Sequence, residues 1–229
     1  AMCNIKKYVF EEKIYTLQNV KDILMKNFRG EEELIDILKK NPEKYGTDSP
    51  LALDLTNKIV DITCQCTSDF VNYMGGKLKF GLSSPAYVDA GRDTKASFDG
   101  RKAGEAFYVH ISSPHTEAYT ELVDFASSIE LRGNSYNGNV VDFMTTPAFI
   151  RDNLEKIVDF VYGGITKGFF EMQIGVVSSE TLLSAREHPE LFPNLIVRVW
   201  GFSAYFIDLP DSYKDVVIKR ALENEGKTA

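Results

Sequence analysis

Few side chains in this chain could bind a metal or attack a substrate, and their spacing suits neither task. The cysteines are Cys3, Cys64 and Cys66. One residue separates Cys64 from Cys66, and no further cysteine or nearby histidine completes a zinc site. An odd count without framework spacing argues against a disulfide scaffold and for a reducing, cytoplasmic setting. His110, His115 and His188 lack the spacing of a ligand set or a triad and read as solvated or structural histidines. The pairs Gly75-Gly76 and Gly163-Gly164 have no phosphate-binding context and read as helix ends. Two polar, glycine-bearing loops remain. The first, Asp99-Gly100-Arg101-Lys102-Ala103-Gly104-Glu105, lies in a long irregular stretch, and such connections are more often functional than plain linkers. The second is Arg198-Val199-Trp200-Gly201-Phe202-Ser203-Ala204. Taken singly, the first is a polar surface turn. The second is a strand–turn–helix connection with Gly201 at positive φ.

Together the two loops carry a resemblance. The run from Gln173-Ile174-Gly175-Val176-Val177-Ser178-Ser179-Glu180 through His188-Pro189-Glu190 reaches Val197-Arg198-Val199-Trp200-Gly201-Phe202-Ser203-Ala204-Tyr205-Phe206 and a final helix. It resembles the C-terminal radical domain of the glycyl radical enzymes, whose loop reads Arg-Val-x-Gly-[Tyr/Phe]-[Ser/Ala]. Asp99 to Glu105 is similar to their upstream Asp-Gly-Arg-Lys-x-Gly-Glu motif. Two motifs in the right order and at the right distance make the signal strong, and the likeness runs from about Tyr8 to about Glu225. It implies a radical on Gly201, with Arg198, Val199, Phe202 and Ser203 in the stretch that a radical-activating enzyme recognises. Asp99, Gly100, Arg101, Gly104 and Glu105 form the family's second loop.

Glycine suits the task on physical grounds. An α-carbon radical is shared between the amide nitrogen and the carbonyl, which requires the α-carbon to flatten. A side chain crowds that form, and glycine has none. The resemblance implies that the radical passes to a cysteine on a facing loop, whose thiyl radical takes hydrogen from substrate. None of the three cysteines stands in the family's cysteine motif. Cys3 is near a terminus. Cys66 is expected on the apolar face of a long helix as a small buried hydrophobe, with Cys64 semi-exposed beside it. The chain is therefore expected to be an incomplete pyruvate formate-lyase-like enzyme of the lyase, dehydratase or formate acetyltransferase kind. The alternative is a stand-alone replacement part or a degenerate, non-catalytic module that binds a partner enzyme.

The partners implied are the activating enzyme and the cysteine-bearing remainder. No cofactor or metal is expected on the chain itself, because the radical is installed by an iron–sulfur enzyme using S-adenosylmethionine. Sensitivity to oxygen is expected with it. The run Gly201-Phe202-Ser203-Ala204-Tyr205-Phe206 looks closer to the dehydratases and decarboxylases than to pyruvate formate-lyase proper. An anaerobic ribonucleotide reductase is disfavoured, since such enzymes keep a four-cysteine zinc site near the glycine and no cysteine follows Cys66. One departure stands out. Where the family has His-x-Gln-x-Asn, this chain has Glu171-Met172-Gln173-Ile174-Gly175, which retains Gln173 alone.

The elements that must position these loops follow from composition and periodicity. Hydrophobic residues make up 44% of the chain, enough for a packed core. The net charge of −7 and the lack of a basic run exclude non-specific nucleic-acid binding and disfavour an anionic membrane. No run of eighteen apolar residues suggests a membrane span. Residues 1–75 read as mainly helical: a helix capped by Thr16 and ended by Gly30, a second from Glu31 to Lys40, and a long third from Ser49-Pro50 to about Met74. Leu51, Leu55, Ile59, Ile62, Cys66, Phe70 and Tyr73 share a face of the third, which is expected to be buried. Residues 76–229 read as the radical domain, with strands near 77–84, 140–144, 169–177 and 195–199. Between them come helices near 116–129, 147–161, 179–188 and 210–224, with a turn cluster at Gly133 to Asn139. Tyr205 and Phe206 are expected to anchor the glycine loop in the core. The fold class expected is α/β, or mixed α+β, as part of a glycyl radical enzyme barrel and packed as one compact unit. A partial barrel exposes apolar surface, so self-association into a homo-oligomer is also expected.

Overall fold

The computed structural model describes residues 1–229 except 83–85, 109, 112–115, 117, 132–134, 138–139, 200 and 226–229, together with the side chains of 135–137. The predicted Gly133 turn, Ser113-Pro114, His115 and Trp200 lie wholly or partly outside the described residues.

The N-terminal third is helical. Helix α1 (Met2–Ile5) runs into a π-helical turn (Lys6–Glu11), followed by α2 (Leu17–Met25), α3 (Glu32–Lys40) and α4 (Pro50–Thr67). Thr16 caps α2, accepting from the Asn19 amide in a reciprocal capping box. That helix stops at Met25 rather than at Gly30, because Asn27 and Phe28 take positive φ and turn Phe28 inward to full burial. Ser49 caps α4 by accepting from the Ala52 amide, with Pro50 in the first turn.

Helix α4 corrects two expectations. It ends at Thr67, seven residues short of Met74, and the face that is buried carries Ala52, Thr56 and Val60. The predicted stripe points outward, with Ile59, Ile62, Phe70 and Tyr73 all exposed. Cys66 is exposed, contrary to the expectation of burial, while Cys64 is semi-exposed as expected and packs against the core. Periodicity shows that a helix has an apolar stripe, but α4 carries two, and small residues at 52, 56 and 60 let its backbone approach the neighbouring elements more closely.

Beyond α4 come β1 (Phe80–Gly81), α5 (Tyr87–Arg92), α6 (Tyr119–Ser127), β2 (Ser135–Asn137), β3 (Val140–Thr145), α7 (Pro147–Asp152), α8 (Leu154–Lys167), β4 (Glu171–Val176), α9 (Ser179–Glu187), β5 (Ile196–Arg198), β6 (Ser203–Tyr205) and α10 (Asp211–Asn224). Strands β1 and β2 pair in parallel, so part of the predicted turn is a strand. Strands β3 and β4 pair in parallel over six residues in unbroken register, Val140 with Glu171 through Thr145 with Val176. Every residue of β3 is buried, as expected of a strand covered on both sides.

The α7–α8 pair forms the crossover and breaks at Asn153. Gly163 and Gly164 lie inside α8, not at its end. The end comes at Gly168, at φ 85°. Gly164 has a packing reason, since a β-carbon there meets the Phe169 ring at 2.6 Å. Leu154, Val158, Tyr162 and Ile165 form an exposed stripe on α8.

Two large apolar clusters support the site. One gathers Val60, Ile111, Leu122, Phe125, Val141 and Phe143 around β3 and α6, with Phe143 and Tyr119 stacked at 4.4 Å between ring centres. The other joins Leu182 on α9, Val197 and Val199 on the β5 side, Phe206, and Val217 on α10. Helix α9 begins at Ser179, one residue earlier than a cap at that serine would allow, because Ser178 accepts from the Thr181 amide. No helix among the described residues is long and apolar enough to cross a membrane.

Candidate functional site

Strands β5 and β6 are antiparallel, pairing Ile196 with Tyr205, Val197 with Ala204 and Arg198 with Ser203. Gly201 is therefore at the tip of a hairpin, not of the predicted strand–turn–helix connection. The Val199 amide donates to the Phe202 carbonyl at 3.1 Å, closing the turn. Gly201 has φ 58°, in the left-handed region. A β-carbon built on it meets nothing within 4 Å, so the tip is open to an approaching protein. Val197 and Val199 point inward with full burial, while Phe202 and Ser203 are exposed. Phe206 anchors the hairpin in the core as expected. Tyr205 does not, being 46% exposed.

Beneath the tip lies a chain of buried polar groups. Asp142 and Gln173 are register partners on β3 and β4, so their side chains stand side by side. Gln173 Nε2 donates to Asp142 Oδ1 at 2.9 Å. Gln173 Oε1 accepts from Arg198 Nε at 3.2 Å and from the Gly201 amide at 3.4 Å. On the far side Arg220, from α10, pairs with Asp142 Oδ2 and donates Nη1 to the Val199 carbonyl at 3.3 Å. Asp142 is 1% exposed and Arg220 6%. Burial pushes the Asp142 carboxyl above the ordinary carboxylate range, against the pull of Arg220 and Gln173. Arg198 meets the Gln173 amide oxygen and the Ser203 hydroxyl, the latter at 3.4 Å. An open depression of about 470 Å³ runs along β4 beside the hairpin, lined by Gln173, Gly175, Ile196, Arg198 and Ser203.

Sequence reasoning found Gln173 as a retained family position but missed Asp142 and Arg220. The available signal was a lone acid inside an apolar strand, Val140-Val141-Asp142-Phe143-Met144. Such a residue needs a partner.

His110 sits close enough to feel Arg220. Burial, and then that positive charge, push its imidazole from 6.5 down to about 4. The unfolded chain then takes up a proton first as pH falls, so the folded state loses stability between about 6.5 and about 4 and gains none above that window. His110→Gln is expected to remove about 1 kcal/mol of that loss, discounted because the ring is only half-buried. Denaturant midpoints at pH 7 and pH 5 check it; equal slopes for both proteins contradict it.

The Asp99–Glu105 loop is a separately braced unit. Asp99 Oδ1 accepts from the Ser97 hydroxyl at 2.7 Å and from the Arg101 amide at 3.1 Å. Arg101 wraps the loop, donating to the carbonyls of Glu105 at 2.8 Å, Lys102 at 3.2 Å and Lys95, and lies over the Phe107 ring. The Glu105 carboxylate accepts from the Lys102 amide at 3.1 Å. Phe98 fixes the loop to the N-terminal helices, and Asn4 donates to its carbonyl at 3.0 Å. The stretch before it is less irregular than expected, because α5 occupies part of it.

Gly100 and Gly104 have φ 91° and 85°. A β-carbon on Gly100 also meets the Ile35 carbonyl at 2.9 Å, whereas Gly104 faces open space. Gly100→Ala is therefore expected to cost about 2–3 kcal/mol and Gly104→Ala about 1 kcal/mol. Paired thermal melts decide it, and equal losses contradict the close approach to α3.

This loop and the Gly201 hairpin share no hydrogen bond among the described residues. They are linked through α5, where Tyr87 packs on Tyr213 of α10, and the Tyr213 hydroxyl donates to Asp89 at 3.2 Å. Among the described residues no cluster of His, Cys, Asp or Glu is arranged to hold a metal ion.

Comparison with known proteins gives this geometry a family. The model "Pyruvate formate lyase-like" matches residues 1–89 and the model "Glycine radical" matches residues 114–207. The chain is 30% identical to (2S)-3-sulfopropanediol dehydratase from Klebsiella oxytoca, over 96% of this chain and 28% of the relative. Isethionate sulfite-lyase from Nitratidesulfovibrio vulgaris is 28% identical, with 96% of this chain and 27% of the relative covered. Among solved structures, the B12-independent glycerol dehydratase from Clostridium butyricum superposes with a TM-score of 0.87 at 28% identity, over 95% of this chain and 28% of that one. The chain thus spans less than a third of the length of these relatives. Both family models, the matched fold and the glycine hairpin agree: the chain belongs to the glycyl radical enzyme superfamily.

Proposed function

We propose that residues 76–229 are the radical-bearing part of a pyruvate formate-lyase-like enzyme of the dehydratase or lyase kind, with residues 1–75 as its helical platform and Gly201 as the radical site. The observation that carries this reading is Gly201 itself: a glycine at positive φ, at an open hairpin tip, with its amide held by a neighbouring side chain. A partner activating enzyme, of the iron–sulfur, S-adenosylmethionine type, removes one hydrogen atom from the Gly201 α-carbon. Proton and electron leave together, so the loop gains no charge and the buried ion pair below it is undisturbed. Arg198, Phe202 and Ser203 offer the exposed recognition surface, while Val199, fully buried, holds the same stretch in the core.

The acceptor of the radical is a cysteine outside these residues. Cys3 and Cys64 pack with the α4–β3 cluster, and Cys66 is exposed on α4. None shares an apolar cluster with the hairpin. The substrate follows from that remainder; the relatives' names point to dehydration or carbon–sulfur cleavage of small hydroxylated molecules.

Anaerobic EPR after incubation with a glycyl radical activating enzyme and S-adenosylmethionine tests the reading. A doublet that collapses when the glycine is deuterated is expected. No signal with several such enzymes counts against it.

A further inference from the structure

We infer that Gln173 and Asp142, backed by Arg220, are positioning residues that hold the Gly201 turn along its β5 arm and fix which polar atom faces its amide. This rests on the reading of Gly201 as the radical site.

The argument is one of hydrogen-bond direction. The Gln173 amide could offer the hairpin either its oxygen or its NH2 group. Asp142 is an acceptor and Arg220 only a donor. With Arg220 on Oδ2, Asp142 keeps Oδ1 for Gln173 Nε2 at 2.9 Å. The Gln173 oxygen is then forced toward the hairpin, where Arg198 Nε and the Gly201 amide both donate to it. Reversing Gln173 sets an oxygen against a carboxylate and an NH2 group against two donors, so one orientation is selected. Arg220 completes the clamp by donating to the Val199 carbonyl, two residues before Gly201 on the β5 arm, at 3.3 Å. The hydrogen-bonded groups lie 21 to 78 residues apart in sequence, so the arrangement is tertiary and not a local turn motif.

The consequence concerns the α-carbon. Its unpaired electron is stabilised by density from the Gly201 nitrogen, and an acceptor on the N–H increases that supply. At 3.4 Å the contact is long, so its loss shifts the spin distribution rather than abolishing the signal. The departure at Glu171 and Gly175 leaves this device whole, because it needs Gln173 alone from that strand.

The test compares the wild-type chain with Gln173→Met, Asp142→Asn and Gln173→Glu. Asp142→Asn changes no volume, but its NH2 group invites Gln173 to reverse. In the unactivated chain, the Gly201 amide proton is expected to move upfield in Gln173→Met and Asp142→Asn and to stay near wild type in Gln173→Glu, which keeps an oxygen there. In the activated chain, the first two variants are expected to alter the α-proton splitting and shorten the radical's anaerobic half-life about threefold, the scale of one modest hydrogen bond. Melting temperature is expected to fall in all three variants, since each disturbs the buried Gln173–Asp142 bond, so the Gly201 amide shift is the readout that a merely structural role leaves in place. An unchanged Gly201 amide shift in Gln173→Met overturns the inference, whether or not Asp142→Asn folds. Absence of a wild-type radical instead overturns the assignment of Gly201, and the amide measurement still decides the clamp.

Discussion

Gly201→Ala removes the glycyl radical signal completely and leaves a chain that oxygen no longer cuts. The wild-type chain, activated anaerobically and then exposed to air, is expected to break at residue 201 into two fragments resolvable by mass. Oxygen adds to the α-carbon radical, and the backbone fails there. Alanine has an α-hydrogen too, but its methyl group opposes the flattened radical. The fold should survive the change. A β-carbon at 201 meets nothing within 4 Å, so there is no clash. The remaining cost is that of holding alanine at φ 58°, about 1 kcal/mol. Circular dichroism and a melt establish that the variant is folded. A doublet, or cleavage at the same place in the Ala variant, refutes the assignment.

Arg220→Met is expected to produce the largest loss of stability in the chain, about 3–5 kcal/mol. The change leaves Asp142 at 1% exposure with no cation, and leaves the Val199 carbonyl short of a donor. Burial already disfavours the Asp142 carboxylate, so it takes up a proton or the strand shifts. Removing both charges in Asp142→Leu/Arg220→Met should recover part of the loss, because an uncompensated buried ion costs more than an apolar pair of similar volume. Recovery stops short of wild type, since Gln173 Nε2 then lacks its acceptor. Urea midpoints of the four proteins close the cycle. A single-variant loss below about 1 kcal/mol would mean that water reaches the pair.

Much of the architecture was legible in the sequence because it rests on local signals. Ser49-Pro50, Thr16 and Pro147 mark helix starts by capping chemistry. The apolar runs of β3 and β4 mark strands, of which β3 is buried throughout and β4 only at Gln173 and Gly175. The glycine loop was visible as a motif and its hydrogen-bond partners were not. Gln173 was noticed as a survivor of a lost pattern, with no hint that its amide reaches Gly201. Asp142 and Arg220 lie 78 residues apart, and nothing local relates them. The α4 face failed for a related reason: small residues define the buried side there, and periodicity weights large ones. The short helix α5, inside a stretch read as irregular, failed because Gly91 sits in it. That glycine is there for the backbone of Glu105 and Ala106, which a β-carbon would meet at 2.4 Å and 2.6 Å.

The hairpin's pairing and its clamp also differ in how soon each can form. Arg198 and Ser203 are neighbours across a turn, and such hairpins close in about 1–10 μs. Gln173, Asp142 and Arg220 come together only after β3 and β4 have joined around the α7–α8 crossover and α10 has docked. These are non-local events, which slow folding. The turn that carries Gly201 is thus expected to be shaped early and immobilised late. Native-state hydrogen exchange would show it as an opening unit less stable than the β3–β4 core, separable from global unfolding.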